Sequence, residues 1–172
     1  MLGLLTSLPV LYVCNVDEAA AASGNAFSRE VEARAAAEGA AAIVISGKIE
    51  AEIAVLHAGE RETFLSAMDL KEAGLDRLIR AGYRLLDLVT FFTAGPKEAR
   101  AWTVKRGAKA AQAAGVIHTD FERGFIRAET IAYDDYVKFG GEAGARDGGK
   151  LRLEGKDYVV ADGDVMHFRF AT

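Results

Sequence analysis

Two hydrophobic periods divide this chain. Residues 10–14 (VLYVC) and 41–45 (AAIVI) are short continuous apolar runs, the pattern of strands buried on both faces of a parallel sheet. Between them Phe27, Val31 and Ala35 recur at helical spacing. Asn25 is placed to cap the first turn of that helix and Gly39 to end its last. Ile49, Ile53 and Leu56 resume the helical spacing after the second run. Strand, helix, strand, helix is the order of an α/β layer. Residues 60–88 predict two more helices, the first with Phe64, Leu65 and Met68 inward. The second is led by Asp69-Leu-Lys-Glu72 as a capping box and carries Leu75, Leu78, Ile79, Leu85 and Leu86 on one side.

From Leu88 the period becomes two. Residues 89–93 and 99–105 predict strands joined by the turn Ala94-Gly95-Pro96-Lys97. The Ala-rich segment 108–115 predicts a helix, which His118, Thr119 and Asp120 stop, and residues 125–133 predict a strand. That crossover implies a sheet with a helix lying across it. Residues 152–160 suggest a hairpin turning at Gly155, and Asp162-Gly163-Asp164 is a further turn signal. In the final strand Met166, Phe168 and Phe170 alternate with Val165, His167 and Arg169. The expected fold class is therefore α/β plus α+β: a partial α/β layer, a helical connector, and a small mixed sheet with one main crossing helix, a β-grasp arrangement.

Composition narrows this picture in three places. A length of 172 residues, 51% hydrophobic and 27% charged with two prolines, suits one medium or two small folded domains and leaves no room for a long disordered region. The run from Met1 to Cys14 is apolar but short, lacks a basic segment ahead of it, and is followed by Asn15, Asp17 and Glu18. It reads as neither a signal peptide nor a membrane span. Cys14 is the only cysteine, so no intrachain disulfide can form, and a reducing cytoplasm is the expected location. The net charge of −4 is uneven: residues 88–172 hold 13 basic and 12 acidic side chains, leaving 8 and 13 for residues 1–87. Such a split points to two units with different partners.

Candidate chemistry is concentrated in a few stretches. Asn15-Val16-Asp17-Glu18 directly follows a predicted buried strand, where ligands of open α/β sheets bind, although an ordinary polar strand end has the same composition. Ser46-Gly47-Lys48 follows the second strand in the same way. Gly144-Ala-Arg-Asp-Gly-Gly149-Lys150-Leu151 falls one residue short of a phosphate-binding P-loop. Leu151 has no oxygen to hold magnesium, and the segment that follows reads as strand, so a flexible loop is expected instead. With no complete G-x-x-x-x-G-K-[ST], the chain lacks the groups for phosphoryl transfer, and no catalytic residue is assigned. His57 is expected at a helix end, His118 in the crossover turn and His167 on the outward face of the last strand, so no metal set is expected. Lys97, Arg100, Lys105, Arg106 and Lys109 stand against Glu98 alone, with Trp102 among them: a surface for phosphates, or a solvated strand whose tryptophan belongs to the core.

The runs PKEARAWTV, GVIHTDFERGFIRAETIAYDDY and LRLEGKDYVVADGDVMHFRF closely resemble the TGS domain of the Obg-like ATPases of the YchF group, and LPVLYVCNVDE extends the resemblance backwards over nearly the whole chain. It implies that residues 1–57 are the last part of a P-loop nucleotide-binding domain, 58–87 a helical connector, and 88–172 a β-grasp, ubiquitin-like TGS domain, so that the chain opens inside a domain. It implies that Asn15, Val16 and Glu18 stand where guanine-specific proteins carry N-K-x-D, in an altered form that tolerates adenine, with backbone groups near Val16 reading the base edge. Ser46 and Gly47 match the base-supporting S-A-K loop with glycine for alanine. The family hydrolyses ATP, in some members GTP, with magnesium, and associates with the ribosome. The resemblance thus implies ATP or GTP in the intact protein, none held by this chain alone, and ribosomal RNA as partner through Lys97–Lys109, with neither membrane nor DNA. The alternative is a stand-alone β-grasp adaptor that binds protein through its sheet.

Overall fold

The computed structural model describes residues 4–95 and 98–171. They fall into two compact units, Met1–Leu86 and Asp87–Thr172.

In the first unit β1 (Leu11–Asn15) and β2 (Ala41–Ile45) pair in parallel, Leu11 opposite Ala41 through Asn15 opposite Ile45. Helix α1 (Ala26–Glu38) makes the crossover, bounded as its sequence predicts. The Asn25 side chain accepts from the Ser28 N–H at 2.9 Å, Ser28 Oγ accepts from the Asn25 N–H at 2.9 Å, and Gly39 ends the helix at φ 69°. Burial on both faces of β1 is not found among the described residues. Val13, and Val10 just ahead of the strand, stay 43% and 45% exposed, so the face of β1 that carries Val13 is left partly uncovered. Helices α2 (Gly47–Val55), α3 (Ala58–Ala67) and α4 (Gly74–Leu85) complete the unit. Ile49 and Ile53 are buried with Ala21, and Phe64, Leu65 and Met68 of the α3 region pack against them.

Two sequence expectations need correction here. The Asp69–Glu72 capping box does not form. Asp69 sits in a left-handed turn (φ 55°), Glu72 pairs with Arg80, and α4 starts at Gly74. Its first N–H groups are satisfied from elsewhere in the chain: the Glu50 carboxylate accepts from Gly74 at 2.7 Å and Leu75 at 3.1 Å. Nor does His57 close a helix; it is the N-cap of α3, and its own N–H donates to Glu60 at 3.1 Å.

The second unit is one mixed sheet. Strands β3 (Leu88–Ala94), β4 (Ala99–Lys105), β5 (Phe125–Ala132), β6 (Arg152–Glu154) and β7 (Asp164–Phe170) lie in the order β4-β3-β7-β5-β6, with β3 and β7 parallel at the centre and the other pairs antiparallel. Helix α5 (Ala110–Ile117) crosses one face. Ala110, Ala113 and Ala114 are fully buried against Val89, Phe91, Met166 and Phe168, so the helix approaches the sheet on side chains no larger than a methyl.

Three short helices add to the single crossing helix that was expected. The turn after α5 is itself helical, α6 (Thr119–Arg123), with His118 Nδ1 accepting from the Asp120 N–H at 3.2 Å. Helices α7 (Tyr133–Lys138) and α8 (Glu142–Asp147) follow β5, and α7 lies against β5 and β7, which is why Val165 is buried as well as Met166 and Phe168. The first half of the Gly-rich stretch expected as a flexible loop, residues 144–147, belongs to α8. A Cβ on Gly144 would stand 2.0 Å from the Phe139 carbonyl oxygen and one on Gly148 2.7 Å from the Phe139 ring, so these glycines serve close packing. The hairpin about Gly155 is also absent: β6 pairs with β5, while Val159 bridges Lys109.

Candidate nucleotide-base loops and basic surface

The loops after β1 and β2 meet because the two strands end in register. Asn15 Oδ1 accepts from the Gly47 N–H at 2.9 Å and so caps α2, while the Val16 N–H donates to the Ile45 carbonyl at 2.9 Å. A Cβ on Gly47 would sit 3.3 Å from Asn15 Oδ1, close but tolerable. Lys48 Nζ binds the Glu18 carboxylate at 2.6 Å, and that hydrogen bond raises the lysine above its ordinary range. Asp17 Oδ1 accepts from the Ala20 N–H at 3.1 Å and starts a 3-10 turn. Ser46 is buried, and its Oγ makes no hydrogen bond among the described residues. All five residues expected to read a base are thus brought together at one end of the strand pair. The Val16 N–H, the Asp17 and Glu18 carbonyls and the Glu18 carboxylate already have protein partners, while the Asn15 side chain is exposed.

The basic run is more neutralised than its sequence suggests. Arg106 Nε pairs with Asp87 at 3.1 Å and Lys109 Nζ with Asp157 at 2.7 Å, both on exposed groups, where such pairs contribute little and yield to a competing anion. Arg100 and Lys105 are exposed on β4, and the Arg100 guanidinium lies 4.1 Å from the centre of the Trp102 ring. Trp102 is half-buried beside the core and donates from Nε1 to Thr93 Oγ1 at 2.9 Å, the structural role that competes with base stacking. Lys97 lies outside the described residues.

A second charged cluster escaped sequence reasoning. On the sheet face opposite α5, Glu129 is buried and receives Arg169 side-on, with Nε at 3.4 Å and Nη2 at 3.1 Å. Arg146 from α8 approaches to 3.7 Å and Arg127 to 3.9 Å. The bonds from Arg169 hold the Glu129 carboxyl below its ordinary range against the opposing effect of burial. Glu129, Glu142 and His167 offer one ligand atom each within 4.8 Å of one another. Three guanidiniums already occupy the Glu129 carboxylate, so the trio is an ion-pair cluster rather than a metal centre. The available signal was the two-residue alternation of β5 and β7, read across strands instead of along one.

A family model described as YchF-GTPase_C, a protein of unknown function (DUF933), matches residues 88–171. The ribosome-binding ATPase YchF of Bacillus subtilis is 58% identical over 98% of this chain and 47% of its own length. Obg-like ATPase 1 of Rattus norvegicus is 42% identical over 98% of this chain and 43% of its own. The solved structure of the Schizosaccharomyces pombe YchF GTPase superposes with a TM-score of 0.80 at 32% identity, covering 94% of this chain and 43% of that one. The chain spans about half the length of the curated relatives it matches. It belongs to the YchF group of Obg-like proteins and corresponds to their C-terminal portion.

Proposed function

We propose that this chain is the base-binding end of a P-loop nucleotide domain joined to a ribosome-contacting module, working in the cytoplasm as part of a YchF-type ATPase. The observation that carries the reading is the junction of the two loops, Asn15 Oδ1 to the Gly47 N–H, in a chain 58% identical to a protein named for ribosome binding and ATP hydrolysis. Residues 1–57 supply Asn15, Val16, Glu18, Ser46 and Gly47 to the base of ATP or GTP, residues 58–87 connect, and residues 88–172 form a β-grasp domain of TGS type. The strand order β4-β3-β7-β5-β6, with first and last strands parallel at the centre, supports the β-grasp assignment. The open edge of β1 and the exposure of Val13 suit a sheet whose further strands lie in the rest of such a protein. A stand-alone adaptor would have no use for the first unit, over which the likeness to the relatives also runs.

No described group replaces the phosphate-binding loop, so the triphosphate and its magnesium are held by other parts of the intact protein. Arg100, Lys105, Arg106 and Lys109, with Lys97, give the second unit its contact with ribosomal RNA. The test is co-sedimentation of the 172-residue chain with ribosomes across a salt series. Binding without added nucleotide is expected, and replacing Arg100, Lys105 and Arg106 by alanine should flatten the slope of log affinity against log salt by roughly two. A chain that does not sediment with ribosomes at any salt would overturn the reading.

A further inference from the structure

The face of the second unit's sheet opposite α5 sets like charges side by side. Arg127 on β5 and Arg169 on β7 are direct partners in the strand register, and the next pair along is Glu129 with His167. Two cations directly opposed weaken a sheet, since their Cα atoms stand only about 5 Å apart. Here Glu129 reconciles them. Its carboxylate, 9% exposed, takes Arg169 in a side-on fork and draws in Arg127 and Arg146, whose own exposures stay near one half. Glu142 adds a 2.7 Å bond to Arg146. Three guanidiniums therefore face two carboxylates, and only the carboxylate of Glu129 is buried. Arg169 is hydrogen-bonded to this buried carboxylate from above, and Arg127 stands 3.9 Å from it in ion-pair contact, so both cations gather over one buried acid.

A shallow groove of about 480 Å³ runs over this spot, lined by Ile126, Arg127, His167, Phe168, Arg169 and Phe170. Ile126, at the register shift between Phe125 and Arg127, is 59% exposed at its rim. A guanidinium already fixed on one edge by a buried acid, with a second one beside it, suits oxyanions with two acceptor oxygens, phosphodiesters above all. The basic run on β4 differs in kind. There Arg106 and Lys109 are matched one to one by exposed aspartates, and no buried acid orients them.

We propose that Arg127 and Arg169, preorganised by Glu129, form a phosphodiester-binding site for the backbone of ribosomal RNA on the β5–β7 face. The proposal rests on the reading of the second unit as a ribosome contact and adds a site that the sequence-derived basic run does not contain.

The experiment measures anisotropy of a labelled ribosomal RNA stem-loop titrated with the 172-residue chain across a salt series, with a labelled polyglutamate peptide as a parallel probe. The triple variant Arg127→Gln/Glu129→Gln/Arg169→Gln removes the cations without stranding a buried carboxylate. It should bind the RNA about tenfold more weakly or worse, with a salt slope lower by about 1.4 to 1.8 for two phosphates released. Arg127→Gln alone leaves Glu129 paired to Arg169 and Arg146, so its fold is safe, and it should lower the slope by about 0.7 to 0.9. Circular dichroism and thermal midpoints confirm that each variant is folded. If the unaltered chain fails to bind the RNA, the ribosome-contact reading falls and this site with it. If it binds and both variants bind equally well, the site alone is overturned. Polyglutamate binding as tight as RNA binding, and lost in the same variants, would reassign the face to acidic protein and likewise overturn the RNA assignment.

Discussion

Single residues in this chain act mainly as counter-groups for backbone ends and for other charges. Glu50 illustrates the first. Its two oxygens hold the opening N–H groups of α4, and a Cβ on Gly74 would lie 2.8 Å from one of them and 2.9 Å from Ile45 Cγ2. Glu50→Ala should cost about 1–2 kcal/mol through the lost cap, and Gly74→Ala about 1–3 kcal/mol through crowding; thermal denaturation measures both. Glu129 illustrates the second. Its carboxyl titrates below its unfolded value, so the stabilisation is complete above that value and is lost as pH falls through the lower, folded one. Stability of the unaltered chain should therefore decline below about pH 4. Glu129→Gln should lower stability at neutral pH and make that acid limb shallower in urea titrations. An unchanged limb would show that Glu129 is not held by its arginines. Neither Glu50 nor Glu129 stood out in the sequence, because the hydrogen-bonding partner of each is distant: Gly74 is 24 residues from Glu50, and Arg169 is 40 from Glu129.

At the scale of elements, legibility followed locality. Helix α1 was readable to the residue because Asn25, Ser28 and Gly39 bound it from within a few positions. The alternation of β7 was readable because a half-buried strand writes its faces into every second residue. Helix α8 was not, because its glycines fit against Phe139, a contact that composition records only as Gly-richness and hence as apparent looseness. The same reasoning predicts that Gly148→Ala, a change that normally favours a helix terminus, destabilises the second unit by about 1–3 kcal/mol. A rise in its thermal midpoint would show the Phe139 ring moving aside at no cost. The candidate base loops were partly legible: the sequence places their residues directly after two apolar runs, yet the Asn15–Gly47 bond spans 32 positions and appears only once β1 and β2 are aligned.

For the whole molecule, the two units differ in the size of their sheets. Among the described residues the second has a five-stranded sheet with a core of its own, and the first has two strands, each paired on one edge only. Amide exchange should accordingly be slowest in β3, β5 and β7 and faster in β1 and β2; equal protection in a monomer would contradict this. The central pairing of β3 with β7 also sets a schedule for the chain's birth. Phe92 meets its partner Val165 only after the 72 intervening residues have been made. During synthesis the local β3–β4 hairpin and α5 can form early, but the β3 edge that takes β7 and the apolar face that Met166 and Phe168 complete stay uncovered until β7 is made. The second unit should therefore lack its complete sheet and core on nascent chains stalled before residue 164 and acquire full protease resistance only once β7 has emerged; full resistance at shorter lengths would contradict this.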